Sequence, residues 1–220
     1  MTNQWKIITS EVANKFLRWE LTWLYWWGNA LSSYREIDLW WARELAKSKE
    51  YCIELDSITH IDRDVAEALA KFKWRWLYLD WLTSIDSETA RALAKFRKRI
   101  FNIWYKEGSL TLSWLRSIDS ETARALAKFQ WAELRLNWLS SIDVSIAREL
   151  ARFWWRHLFL WWIKEIDADI ARELAWFQWH ELWLGWLDSI DVPSAMALSK
   201  FYTCSDKSSV QSMIDKYRRH

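Results

Sequence analysis

Leu77–Phe96 reads LYLDWLTSIDSETARALAKF, and copies of this block make up most of the chain. An alternating stretch, Leu77-Tyr78-Leu79-Asp80, leads into Leu82 and Ile85. Asp86 follows, then a run carrying Ala90, Leu93, Ala94 and Phe96. Counterparts stand at Leu110–Phe129, Leu134–Phe153, Leu158–Phe177 and Leu182–Phe201. The Asp after Ile recurs at Asp38, Asp62, Asp86, Asp119, Asp143, Asp167 and Asp191, in steps of 24, 24, 33, 24, 24 and 24 residues. Ala stands four residues after each Asp and Leu seven after. Phe stands ten after in every copy but the first, where Ser48 takes its place. Agreement in so many columns establishes an internal repeat.

Each column has a physical role. Residues three and four apart share one face of a helix, so Ala90, Leu93 and Ala94 form an apolar stripe. Its small Ala side chains allow close approach to a backing layer, while Arg91 and Lys95 face water. Upstream, Ile53/Leu55, Leu77/Leu79, Leu110/Leu112, Leu134/Leu136 and Leu158/Leu160 alternate with polar or variable residues, the period of a half-buried strand. A strand and a helix in every repeat predict parallel neighbouring strands with helices on one side. Strands sit about 4.8 Å apart, whereas packed helices need roughly 8–10 Å. The stack must therefore bend, with the sheet inside.

The pattern Leu77-x-Leu79-x-x-Leu82-x-x-Ile85 resembles the core of a leucine-rich repeat, over about residues 37 to 201. The slot where that family carries Asn or Cys holds Ile58, Leu82, Leu115, Leu139, Ile163 and Leu187, so an Asn ladder across the turns is missing. The resemblance implies an α/β solenoid with a parallel sheet on its concave side and helices on its convex side. It also implies a protein partner on the concave sheet. Residues 37–201 form seven repeats on this reading. Ile8-Thr9-Ser10-Glu11-Val12-Ala13 repeats the Ile85–Ala90 pattern with Thr in the Asp slot, so residues 1–36 read as a degenerate first repeat or cap. Residues 202–220 leave the pattern and read as a closing tail, with a short helix from about Ser208.

Net charge is only +2, from 31 basic and 29 acidic residues, which argues against nucleic acid or an anionic membrane as partner. The most apolar stretch, Phe153–Ile163, is broken by Arg156 and His157 and is too short to span a bilayer. The first ten residues carry no signal-peptide pattern. Cys52 and Cys204 make no disulfide framework. A cytoplasmic protein is expected.

Composition departs from the ordinary in one respect: there are 22 Trp and only 3 Gly. Trp81, Trp114, Trp138, Trp162 and Trp186 stand five residues before their Asp. Trp74, Trp131, Trp155 and Trp179 stand two after the Phe. The first column falls where strand turns toward helix. The second falls just past the helix end, where positive φ favours glycine. The sequence reading is that most of these positions are glycine in the natural protein. Some genetic codes read UGA as glycine and others as tryptophan, and such a recoding would spare glycines with ordinary codons, here Gly28, Gly108 and Gly185. The alternative is an authentic Trp-lined surface that binds carbohydrate or flat aromatic ligands.

Candidate chemistry is sparse. The Asp column lies just before each helix and reads as N-caps rather than a metal ladder. His60, His157, His180 and His220 share no metal-binding spacing. No phosphate loop, nucleophile elbow or acid–base pair is present, so neither catalysis nor a cofactor is expected. The insertion within residues 97–108 carries Arg97, Lys98, Arg99, Phe101 and Tyr105. It reads either as a contact loop or as a tolerated excursion. The candidate binding face is the set of strand positions between the core leucines. In chain order these are Glu54, Asp56, Tyr78, Asp80, Thr111 and Ser113, then Arg135, Asn137, Phe159, Trp161, Trp183 and Gly185. They vary between copies while the core columns do not, which is how a solenoid presents a partner-binding surface.

Overall fold

The computed structural model describes residues 6–8, 34–47, 52–72, 76–95, 108–129, 133–153, 157–176, 181–199, 202–204 and 208–218. The repeating unit is built first from its N-cap. Asp38, Asp62, Asp86, Asp119, Asp143, Asp167 and Asp191 all have extended backbone, and each side chain accepts the N–H three residues on at 2.7–2.8 Å. The seven helices they open are α1 Leu39–Leu45, α2 Arg63–Leu69, α3 Ser87–Leu93, α4 Ser120–Leu126, α5 Val144–Leu150, α6 Ala168–Leu174 and α7 Val192–Leu198. Two turns of helix are too short to stand alone in water. They persist because one stripe is buried: the Ala and Leu columns, such as Ala90 with Leu93 and Ala123 with Leu126, are fully enclosed.

The helices end without a glycine. Their C-cap residues, Ala46 through Ser199, are right-handed, and no described residue has positive φ. The last turn tightens instead, as in Phe129 N–H to Leu126 O at 2.9 Å. That turn carries Phe72, Phe129 and Phe153 into the core.

Two parallel sheets are present among the described residues. The larger has seven strands in sequence order: β3 Cys52–Glu54, β4 Trp76–Tyr78, β5 Ser109–Thr111, β6 Glu133–Arg135, β7 His157–Phe159, β8 Glu181–Trp183 and β9 Tyr202–Cys204. Their register places Ile53, Leu77, Leu110, Leu134, Leu158 and Leu182 in one row across the sheet, closing on Thr203. The ladder runs one residue further, with Leu79 N–H to Thr111 O and Leu112 N–H to Arg135 O, both 3.0 Å. Leu79, Leu112 and Leu136 are all completely buried. Sheet on one side and helices on the other give the α/β solenoid that the period predicts.

The sequence places the strand from Leu77 onward, and the structure starts it one residue earlier. It also adds β9 inside the stretch read as tail. The tail helix, α8 Ser208–Arg218, begins where expected and buries Ile214. The smaller sheet pairs β1 Lys6–Ile8 with β2 Tyr34–Ile37, setting Ile8 opposite Ile37.

Without an Asn ladder, the strand-to-helix turns are joined by their own backbones. Trp114, Trp138, Trp162 and Trp186 donate their N–H groups to Asp80, Ser113, Asn137 and Trp161 in the preceding repeat, at 2.7–2.9 Å. The turns at Ile58, Leu82, Leu115 and Leu139 are each closed by a bond such as Leu82 N–H to Leu79 O at 3.2 Å. With negative φ throughout, such a turn accepts any residue at its third position, unlike a type II turn. The expectation that steric strain demands glycine at Trp81, Trp114, Trp138, Trp162 and Trp186 is therefore corrected. Trp74, Trp131, Trp155 and Trp179 lie outside the described residues.

Two substitutions test this frame by urea unfolding followed by far-UV circular dichroism. Leu112→Ala should cost about 2–5 kcal/mol as a buried large-to-small change. Asp119→Ala should cost about 1 kcal/mol through its lost cap. An unchanged midpoint for Leu112→Ala would refute the burial of that row.

Candidate interaction face

Alternation sends Leu77 and Leu79 into the core and Tyr78 and Asp80 out onto the open side of the sheet. The register then assembles a row across the strands: Glu54, Tyr78, Thr111, Arg135, Phe159 and Trp183. Two residues further along lie Asp56, Asp80, Ser113, Asn137, Trp161 and Gly185. Glu54 and Asp56 are exposed, while Tyr78, Asp80, Ser113, Arg135, Asn137, Phe159, Trp161 and Trp183 are half-buried. Thr111, 2% exposed, and Gly185 are closed off from a partner.

The β6–β8 end is aromatic, with Arg135 and its neighbours set close together. The Arg135 guanidinium lies 4.7 Å from the centre of the Phe159 ring, and Phe159 stacks on Trp183 at 5.5 Å and 17°. Arg135 Nη2 donates to Glu133 Oε2 at 2.8 Å. Glu181 Oε2 lies 3.0 Å from His157 Nδ1 and accepts Trp183 Nε1–H at 3.2 Å. Glu133, His157 and Glu181 form a third row that the sequence reading missed. Carrying the period-two pattern one step upstream of each core leucine would have found it.

The β3–β4 end is acidic. Loss of hydration around its carboxyl, reinforced by the carboxylates of Asp80 and Glu54, pushes the Asp56 group up to about 6, although the residue as a whole is exposed. The Asp80 backbone N–H offsets this only in part. The Asp column on the other side of each turn behaves oppositely. Backbone N–H bonds from Thr89 and Thr122 hold Asp86 and Asp119 below the usual carboxylate range. These groups are occupied as caps, and among the described residues no cluster of three His, Cys, Asp or Glu could hold a metal ion.

Beside the face runs a file of stacked indoles. Trp81, Trp114, Trp138, Trp162 and Trp186 follow one another at centroid distances of 4.9, 4.7, 4.5 and 5.0 Å. Arg35 closes the first end, 5.5 Å above Trp81 and bonded to Ser57 O at 3.1 Å. Trp186, at the far end, is 47% exposed. The ring faces within the file are spent on each other.

The insertion residues Arg97, Lys98, Arg99, Phe101 and Tyr105 lie outside the described residues, as do His180 and His220. His60 is exposed. No described helix is long and apolar enough to cross a membrane.

No protein-family model matches the sequence, and no curated protein matches it. Among solved structures, an internalin from Listeria monocytogenes is similar over 84% of this chain, at 16% identity and a TM-score of 0.42. The chain spans 56% of that protein's length.

The raised Asp56 carboxyl has a defined consequence for stability. Between the ordinary aspartate value of 3.8 and about 6 the folded state binds the proton more readily than the unfolded chain, so stability falls as pH rises through that window. Water screens this exposed group, which keeps the effect small. Asp56→Asn should remove the fall, giving a urea midpoint above wild type at neutral pH and equal to it near pH 3.5. A lower midpoint at neutral pH would contradict the assignment.

Proposed function

We propose that the chain is a non-catalytic scaffold that binds a protein partner along the open face of its sheet. One observation carries this reading. A single register position presents Glu54, Tyr78, Arg135, Phe159 and Trp183 on β3, β4, β6, β7 and β8, with the buried Thr111 between them on β5, while the adjacent row from Ile53 to Leu182 stays aliphatic. A rigid frame with side chains free to vary on one face suits recognition by shape and charge. The candidate face is also contiguous, and its aromatic and Arg residues are the types that anchor interfaces. A cytoplasmic location belongs to the same proposal and rests on the cysteine spacing.

The carbohydrate or aromatic-ligand reading needs free ring faces. Face-to-face stacking in the Trp file and in the Phe159–Trp183 pair leaves mainly ring edges, which supports the protein-binding reading over it.

Recoding of the Trp columns to glycine is kept as a proposal. Its support is compositional, 22 Trp against 3 Gly, and its steric ground does not apply at the first column. TGG codons at Trp81, Trp114 and Trp138 would end it, and so would an intact mass of the natural protein near 26.8 kDa.

Affinity capture from the source cell tests the function. Tyr78→Ala, Arg135→Ala and Phe159→Ala together should release the captured partner, with about tenfold or greater loss for anchors of this type. Arg148→Ala, on the helix side, should leave it bound. Equal capture by both variants would refute the sheet face as the binding surface.

A further inference from the structure

Parallel strands in register set the side chains of one row about 4.8 Å apart, a separation at which rings and guanidinium groups stack. On β6, β7 and β8 that row is Arg135, Phe159 and Trp183. Phe159 is therefore flanked on both sides. The Arg135 guanidinium lies over its ring at 4.7 Å from the β6 side, and Trp183 stacks on it at 5.5 Å from the β8 side. All three residues are half-buried, so part of each stays open on the sheet face.

Register alone does not choose among the many rotamers of an Arg side chain. Glu133 makes the choice, two residues earlier on β6 and so on the same side of the strand. Its Oε2 accepts Nε–H at 3.2 Å and Nη2–H at 2.8 Å from Arg135, which fixes the guanidinium along one edge. The arrangement recurs on β8. There Glu181, two residues before Trp183, accepts the indole Nε1–H at 3.2 Å.

The column that supplies these glutamates is selective. From β3 to β8 it reads Cys52, Trp76, Ser109, Glu133, His157 and Glu181, so carboxylates occur only on the two strands that flank Phe159. Both members of the Glu133–Arg135 pair are part-exposed, and such pairs contribute little to stability. Their larger effect is on order. Forming an interface immobilises rotamer-rich side chains at a cost, and side chains held in place beforehand avoid it.

We propose that Glu133 and Glu181 are positioning residues for partner binding, holding Arg135 and Trp183 against the two faces of Phe159 so that the sheet offers a preset anchor. This rests on the sheet face being the partner surface, and it adds how that surface is ordered before the partner arrives. Glu133 and Glu181 act through their neighbours and need not touch the partner.

The first test is nuclear magnetic resonance of the free full chain. The Arg135 δ-methylene and Nε–H signals should carry the ring-current shift of Phe159, and Phe159→Leu should abolish it. Glu133→Ala should reduce that shift, whereas Glu133→Gln, which keeps an acceptor oxygen, should retain most of it. An undiminished shift in Glu133→Ala overturns the proposal. In Glu181→Ala the Trp183 Nε1–H signal, assigned by its loss in Trp183→Phe, should exchange faster with solvent. Unchanged exchange overturns the Glu181 half. The second test takes as analyte the protein eluted from the wild-type chain after affinity capture. Glu133→Ala should weaken its binding about twofold to tenfold, the range for ordering one such side chain. Glu121→Ala, which removes a carboxylate from the helix side, should bind as wild type. On an Arg135→Ala background Glu133→Ala should add nothing. Equal weakening on both backgrounds would mean that Glu133 meets the partner itself, and the positioning role would fall. A urea midpoint near wild type establishes that Glu133→Ala is folded. Should it not be, Glu133→Ser, the residue β5 carries in this column, takes the same measurements. Release of the eluted protein by the Tyr78/Arg135/Phe159 variant but not by Glu133→Ala sinks the positioning inference and leaves the face reading standing. Release by neither sinks both.

Discussion

Every repeat in this chain makes an apolar surface that it cannot cover by itself. A three-residue strand and a seven-residue helix enclose one Leu row and one Ala/Leu stripe, and only the next repeat shields their flanks. Two-turn helices and three-residue strands are each below the length at which they hold alone. Stability is therefore a property of the interface between units, as in other one-dimensional stacks. The Ala columns follow from this. A larger residue at Ala66, Ala90 or Ala123, all fully buried, would separate helix from sheet and break the register of Ile53, Leu77, Leu110 and Leu134.

The stack also has to satisfy its turns, and here local and collective chemistry divide the work. Inside each unit the Asp cap fixes where the helix begins, using one carboxylate oxygen and one backbone N–H. Between units, a turn N–H reaches the carbonyl of the repeat before it. An aliphatic residue at the position where leucine-rich repeats carry Asn removes a side-chain bridge but not the need for one. The backbone provides it directly. The indole file then lies over the turns, and each offset stack is worth about 0.5–1.5 kcal/mol beyond burial.

Much of this was legible in the sequence because it repeats. The caps, the Ala and Leu columns, the parallel sheet and the start of α8 all follow from spacing alone. What escaped did so for identifiable reasons. β9 has Thr203 in the leucine slot, so its apolar signal vanishes while its backbone still pairs with Leu182. The column Cys52, Trp76, Ser109, Glu133, His157 and Glu181 follows no apolar pattern and precedes the first leucine, so nothing marked it as strand. The enclosure of Thr111 was invisible because period two assigns a side but not an exposure. Turn type was misjudged since propensity at one position cannot distinguish a turn with negative φ from one requiring glycine.

The identity of the Trp columns bears unequally on frame and face. Bonds across the turns use N–H groups that glycine and tryptophan both possess, and all the described backbone has negative φ, which both can adopt. With glycine in the first column the turn bonds could remain, while the indole stacking would be lost. On the sheet, Trp161 and Trp183 are half-buried members of the rows that meet a partner, and Trp183 supports both Phe159 and Glu181. Glycine there would leave Phe159 without its stacking partner and Glu181 with His157 alone. The acidic end, built from Glu54, Asp56 and Asp80, contains no tryptophan among its charged groups. Its charges are the same under either decoding, whereas the aromatic end depends on which one the cell uses.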